Sequence, residues 1–269
     1  MGSNGARPTC SAKIESDCYT LLMFKESYSQ QELKSILGKT ANRRGWDFSA
    51  MKTECQSVPW NYVDVVSLYL KPEDRVLDIG TGGGERFIQL SKLFKSGVGI
   101  DIDPVMIKTA QENGTNVTNV SFNQDSEKLV YTKGVFDVVI CRHAPFNLSV
   151  VSAHLKKGGY FIIQEVGEKN MLNIKEVLGR NTTTPALTKE QFETSGFNLV
   201  AFMEYNVEYV VKNVESLVFW LNALDMLHSD LPGAKALENS DLFNKILKGN
   251  VDQRGFITNE QRYLAIAQK

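Results

Sequence analysis

The run Val76-Leu77-Asp78-Ile79 passes directly into Gly80-Thr81-Gly82-Gly83-Gly84, and a helix-like pattern begins at Glu85. Four glycines in five positions let a backbone take positive φ and come close to a ligand. A helix starting just beyond them offers free N–H groups and the positive end of its dipole. About 20 residues further on, the next apolar run ends at Gly99-Ile100-Asp101, where a carboxylate can accept hydrogen bonds from both hydroxyls of a ribose. Alone, the loop would be a tight turn and Asp101 a strand-end carboxylate. As a pair they describe an edge that binds a nucleoside-like ligand. The order of residues narrows the ligand. A dinucleotide loop reads G-x-G-x-x-G and seats a pyrophosphate. Here Asp78 precedes the loop, where it would repel a pyrophosphate and favour a positive amino group.

A second group of residues bears on proton movement and substrate binding. Cys141-Arg142-His143-Ala144-Pro145-Phe146-Asn147 follows another apolar run. His143 is one of three histidines, and an ordinary imidazole, titrating near about 6.5, suits a general base. Its structural alternative is to orient the loop. Arg142 offers a planar fork for a carboxylate or phosphate, or a structural ion pair. Cys141 reads as a buried thiol rather than a nucleophile. The four cysteines, at 10, 18, 55 and 141, fit neither a zinc ribbon nor a Cys-x-x-Cys pair. No metal site is expected.

Strand and helix patterns alternate around these residues. Arg75–Ile79, Gly97–Ile102, Val117–Asn123, Phe136–Cys141 and Tyr160–Val166 read as strands. Pro59–Tyr69, Glu85–Phe94, Pro104–Asn113 and Ser149–Leu155 read as helices. That alternation indicates a parallel sheet covered on both faces, doubly wound by the right-handed crossover rule. Residues 39–59 look irregular. Further on, Thr188–Ser195 reads as a helix with a capping box of Thr188 and Gln191. Asn198–Glu204 and Asn206–Val211 read as strands, Val214–Asp225 as an apolar helix and Arg262–Gln268 as a closing strand.

The whole set resembles the class I S-adenosylmethionine-dependent methyltransferases over residues 60–170. Asp78, Gly80, Gly82 and Gly84 match their first motif, Asp101 in GIDIDP the second, and Asp125 in NQDSEKL the third. The run RHAPFN and the later QEVGEKN look like the broad small-molecule group of these enzymes. The Asn/Asp-Pro-Pro-aromatic motif of amino-methylating enzymes is matched only in part, by Ala144-Pro145-Phe146. The resemblance implies a Rossmann-like, mostly parallel seven-stranded sheet with N-terminal helices and a helical insertion before the last strand. It implies S-adenosyl-L-methionine as cofactor, held by Asp78, Gly80, Thr81, Gly82, Gly84, Asp101, Ile102, Gln124, Asp125, Ser126 and Arg142. His143 and Arg142 are the expected catalytic residues. The expected division is a disordered tail at 1–12, a helical cover at 13–59, and a methyltransferase domain at 60–269 with a cap insertion at 212–254.

Composition limits the partners. Lys and Arg number 30 against 31 Asp and Glu, for a formal charge of −1. That balance supplies no global field for nucleic acid or anionic lipid. The compact cluster Lys39, Arg43 and Arg44 leaves RNA as a less favoured acceptor. No run is long and apolar enough to span a membrane. Without a secretory leader the expectation is a cytoplasmic protein with free thiols. The expected function is methyl transfer to an O or N atom of a small-molecule acceptor. The alternatives are an RNA methyltransferase and a non-catalytic protein that binds the cofactor. The oligomeric state is not encoded in any pattern here.

Overall fold

Val76, Leu77, Val139, Phe161 and Ile162 are wholly out of water. Near-continuous apolar runs are what strands need when both faces of a sheet are covered. The computed structural model describes residues 24–40, 48–125, 131–179, 187–225 and 233–269. Along them run α1 (Gln30–Thr40), β1 (Thr53–Cys55), α2 (Tyr62–Ser67), β2 (Arg75–Ile79), α3 (Glu85–Leu90), β3 (Ser96–Asp101), α4 (Pro104–Asn113), β4 (Val120–Gln124), β5 (Phe136–Arg142), α5 (Leu148–His154), β6 (Leu155–Val166), α6 (Leu172–Val177), α7 (Lys189–Thr194), β7 (Asn198–Val211), α8 (Val214–Asp225), α9 (Gly233–Glu238), α10 (Ser240–Leu247), β8 (Val251–Asp252) and β9 (Gly255–Gln268). The tail expected at 1–12, Arg43, Arg44 and Ser126 lie outside the described residues.

One mixed sheet holds the strands in the order β1-β7-β9-β6-β5-β2-β3-β4, with β8 paired to β9. Among the described residues it has nine strands, not the seven expected, and is not mostly parallel. The β2–β3, β2–β5, β3–β4 and β5–β6 pairings are parallel; β1–β7, β6–β9, β7–β9 and β8–β9 are antiparallel. The additions are β1, where Thr53 pairs with Val211, and the short hairpin strand β8. Strands of three and two residues are too short to show a period of two, so residues 39–59 look irregular in sequence. The two strands expected at 198–204 and 206–211 are one, with Tyr205 continuing the ladder opposite Arg262.

Local chemistry sets the helix starts. Asn61 caps α2 by accepting from the Val63 N–H at 2.9 Å. Asp103 caps α4 from in front of Pro104. Thr188 and Gln191 form the expected capping box on α7. Tyr62, Val66, Phe87, Ile107 and Phe122 pack one sheet face; Val151, Phe192 and Phe197 pack the other.

The last β6–β9 pair is Val166 with Arg262, yet β9 begins at Gly255 and β7 continues to Val211. Residues 255–261 therefore lift a ribbon of β7 and β9, flanked at its far end by β1 and β8, about 20 Å beyond the carboxyl ends of the parallel strands, at the usual rise per residue. A separate apolar cluster covers this ribbon. It joins Phe24, Tyr28 and Leu33 to Leu217, Val218, Phe243 and Ile246. Tyr28 N donates to Asn244 Oδ1 (2.8 Å), and Asn244 Nδ2 donates back to Tyr28 O (3.0 Å). Gln30 Nε2 donates to Leu237 O (2.6 Å), and Ser240 N donates to Gln30 Oε1 (3.0 Å). Helix α1 and the residues just before it are thus hydrogen-bonded to α9 and α10 and share one apolar cluster with α8–α10.

Phe243 is fully buried and meets the Tyr28 ring edge-on at 5.7 Å. Phe243→Ala is expected to lower stability by about 3–5 kcal/mol, read as a lower urea midpoint.

Candidate functional site

Strand register decides which side chains share a face. Asp78 pairs with Ile140 and Gly99, and Asp101 with Gln124. Arg142 pairs with Gln164, Gln164 with Leu264, and Arg262 with both Val166 and Tyr205. Alternation then places Gln124, Asp101, Asp78, Arg142, Gln164, Arg262 and Tyr205 on one face, in a stepped row near the carboxyl edge, with Asp78 one step below Arg142 and the Arg262–Tyr205 pair one step beyond Gln164. The acids stand over β2 and β3, the arginines over β5 and β9.

The glycine loop leaves β2 on the acidic side. Gly80, Gly82 and Gly84 have φ of 71°, 56° and 75°. A Cβ on Gly80 would collide with the Ala144 Cβ, and one on Gly84 would lie 2.8 Å from the Phe122 ring. Glycine is required there by both conformation and space. Thr81 N donates to Ile100 O (2.8 Å), and Gly82 N donates to Asp101 Oδ2 (2.9 Å). The other Asp101 oxygen accepts from Asp103 N at 3.0 Å. Each carboxylate oxygen keeps a lone pair, so Asp101 shapes the loop and still presents acceptors. That first role is not visible in the sequence.

Asp78 is 8% exposed. Burial pushes its carboxyl up to about 7, the Asp101 charge adds to the rise, and the Thr81 hydroxyl and Arg142 draw it partly back. At the far end of the row, Gln124 Nε2 donates to Ile102 O (3.1 Å) and Asp125 N donates to Asp101 O (3.1 Å). The Ile102 side chain is 73% exposed, a large apolar surface beside these acceptors.

On the basic side, His143 has φ of 58°, a left-handed conformation that costs a non-glycine residue about 1–3 kcal/mol and clusters at functional sites. His143 N donates to Gln164 O at 3.0 Å. Trp60 Nε1 donates to Gln164 Oε1 (2.9 Å), which leaves Gln164 Nε2 facing His143 Nε2 at 3.3 Å. An amide N–H can only donate, so the ring proton of a neutral His143 sits on Nδ1. Burial pushes the imidazole pKa down, and Arg142, Arg262 and Arg86 push it further. The ring is therefore neutral, with its lone pair turned to Gln164.

Trp60 also packs on Tyr205, ring centres 4.7 Å apart. Tyr205 OH donates to Glu260 Oε1 (2.6 Å), and Arg262 Nη2 donates to Glu260 Oε2 (3.1 Å). Glu165 projects from the opposite face. Its carboxyl is pushed up to about 8 by burial, against the backbone N–H groups of Ala144, Val166 and His143.

The edge thus gathers the sequence-predicted Asp78, Gly80, Thr81, Gly82, Gly84, Asp101, Ile102, Gln124, Asp125, Arg142 and His143. Sequence reasoning missed Trp60 as a hydrogen-bond donor, together with Gln164, Tyr205, Glu260 and Arg262. Their partners come from strands far apart in the chain, and no local pattern announces the register. Among the described residues no group of His, Cys, Asp and Glu could hold a metal ion.

A methyltransferase-domain family model matches residues 70–199. The chain is 33% identical over 105 residues to the uncharacterized methyltransferase YcgJ of Bacillus subtilis, covering 35% of this chain and 41% of that protein. It is 30% identical over 119 residues to the protein-L-isoaspartate O-methyltransferase of Myxococcus xanthus, covering 42% and 56%. It is 36% identical over 73 residues to the ribosomal protein L11 methyltransferase of Thermus thermophilus, covering 27% and 29%. The matches thus span about half or less of these curated relatives. The crystal structure of YcgJ superposes with a TM-score of 0.55 at 18% identity, covering 77% of this chain and 97% of that one. That similarity shows a shared fold.

Two outcomes follow from the acidic half. The folded pKa of Asp78 lies above its ordinary value, so the stability of the neutral carboxyl is full below about 4 and lost as pH rises through about 7. The ligand-free protein should show that loss in thermal midpoints between about pH 4 and 7, and Asp78→Asn should flatten it. Asp101→Ala should remain folded yet lose measurable S-adenosylhomocysteine binding by calorimetry. Wild-type affinity in the folded variant would remove Asp101 from the site.

Proposed function

We propose that this chain, whose residues 70–199 match a methyltransferase-domain family model, is a class I S-adenosylmethionine-dependent methyltransferase that moves a methyl group to an oxygen or nitrogen atom of a small-molecule acceptor. The observation that carries the reading is the divided carboxyl edge. An acidic, glycine-lined half lies beside a half of different chemistry, and the ribbon carrying the cap rises beyond that second half.

The acidic half fits the cofactor. Asp78 is a buried carboxyl placed to receive an ammonium, which would favour its charged form. Gly80, Thr81, Gly82 and Gly84 leave the backbone open to close approach. Asp101 keeps an acceptor on each oxygen for ribose hydroxyls. Gln124 and Asp125 take the adenine side, and Ile102 offers an apolar surface to the ring. When bound, S-adenosylmethionine supplies a methyl group already activated on a sulfonium sulfur.

Direct displacement needs orientation above all. Trp60, Gln164 and His143 form one hydrogen-bonded unit at the second half. In it His143 presents Nδ1–H as a donor, and it becomes a general base only when the Gln164 contact opens. Arg142 stands between the two halves. Helices α1 and α8–α10, packed on the extension of β7 and β9, are the elements that would cover a small acceptor.

A protein acceptor is the second reading, favoured by relatives named for protein substrates. Isotopically labelled S-adenosylmethionine incubated with the protein and a host extract separates the readings. Label in the small-molecule fraction is the expected result. Label confined to protein selects the second reading, and label confined to RNA overturns both. As a first check, S-adenosylhomocysteine at 100 times its dissociation constant should stabilise the protein by about 2.7 kcal/mol, read as a higher thermal midpoint. NAD should leave the midpoint unchanged.

A further inference from the structure

The half of the edge over β5, β6 and β9 carries positive charge that its own side chains leave unneutralised. Arg262 is satisfied: Nη1 donates to Asn170 Oδ1 (2.5 Å) and Gln261 O (2.8 Å), and Nη2 to Glu260 Oε2 (3.1 Å). Arg142 is not. Among the described residues its guanidinium makes no hydrogen bond or ion pair, and its Nε is shut away from water without a partner. Burial pulls the Arg142 pKa down to about 10, and Arg86 and Arg262 add to the fall. Lys175, on α6, is pulled down to about 8 by burial, with Arg262 again adding. Three carboxylates lie near this charge, and among the described residues none forms an ion pair with Arg142. Glu260 is held by Tyr205 and Arg262. Asp78, over β2, and Glu165, on the other face of the sheet, are each drawn down by the Arg142 charge, but neither bonds to it.

We propose that this half of the edge is an anion subsite, in which Arg142 receives a carboxylate or phosphate group carried by the methyl acceptor. A guanidinium fork can take two oxygens of either group. Arg262 and Lys175 add attraction from β9 and α6. Held at β5, between the two halves, the anion fixes how the acceptor lies against the cofactor. The inference rests on the methyltransferase reading, and the competing occupant of Arg142 is the cofactor's own carboxylate.

Wild-type protein, Arg142→Gln and Arg142→Lys are saturated with S-adenosylhomocysteine and titrated with sodium phosphate or sodium acetate. Chloride holds the ionic strength constant, and the thermal midpoint is read. The wild type should gain over chloride with at least one anion. Arg142→Gln should lose that gain and Arg142→Lys keep part of it, with S-adenosylhomocysteine affinity unchanged within about threefold. A larger response to phosphate assigns a phosphorylated acceptor; a larger response to acetate assigns a carboxylic acid. No gain in the wild type overturns the subsite. So does a loss of about tenfold or more in S-adenosylhomocysteine affinity in Arg142→Gln with full affinity for 5′-methylthioadenosine, which lacks the amino-acid end. If Arg142→Gln does not fold, the same readings on Arg142→Lys decide. If the wild type binds no S-adenosylhomocysteine yet responds to an anion through Arg142, the subsite stands and the methyltransferase reading falls.

Discussion

Side chains alternate along a strand, so the register of each ladder commits every edge residue to one face. That constraint governs this molecule. Were β9 to slip by one residue against β6, Arg262 would leave the row and Gln261 would replace it. The site is held in place by the hydrogen-bond ladders of β3, β2, β5, β6, β9 and β7, together with the apolar residues beneath. Leu264 and Ile266 anchor β9 on the same face as Arg262, among Val138, Ile140 and Ile162. Core packing and site geometry are one problem here: moving a buried isoleucine to the wrong side moves an arginine out of the row.

How much of this can be read from the sequence follows from distance along the chain. Asp78, the glycines, Asp101 and Asp125 belong to strand–loop–helix units whose partners lie within about 20 residues, the reach of a βαβ pattern. Their types and spacing are legible, and the structure places them along one edge. Gln164, Tyr205, Glu260 and Arg262 owe their meeting to antiparallel pairings between strands separated by whole helices. In the sequence Arg262 only begins a closing strand, because β9 starts seven residues earlier at Gly255. The Trp60 ring is legible as a large side chain near the site, but its bond to Gln164 spans 104 residues. The short β1 and β8 are invisible for another reason, being too brief to show any period.

The charge balance of the whole chain acquires a spatial meaning. A formal total of −1 describes a molecule whose acids and bases are sorted along one sheet edge. Burial exaggerates the sorting: it favours the neutral form of Asp78 while Arg142 remains a cation. With no ligand present, the edge is therefore more positive than its composition suggests. A whole-chain charge excludes a long-range field and says little about a cleft a few residues wide.

The reciprocal bonds between Tyr28 and Asn244 close a loop of 216 residues. Contacts of such separation carry a large closure entropy and form late relative to local ones. During synthesis the apolar side of α1 is exposed from the beginning and meets its partners only once α10 has been made. The parallel strands β2 to β6 can pair long before that. The parallel edge can therefore form before its cover, and through most of synthesis the apolar side of α1 lacks the partners that bury it in the finished fold.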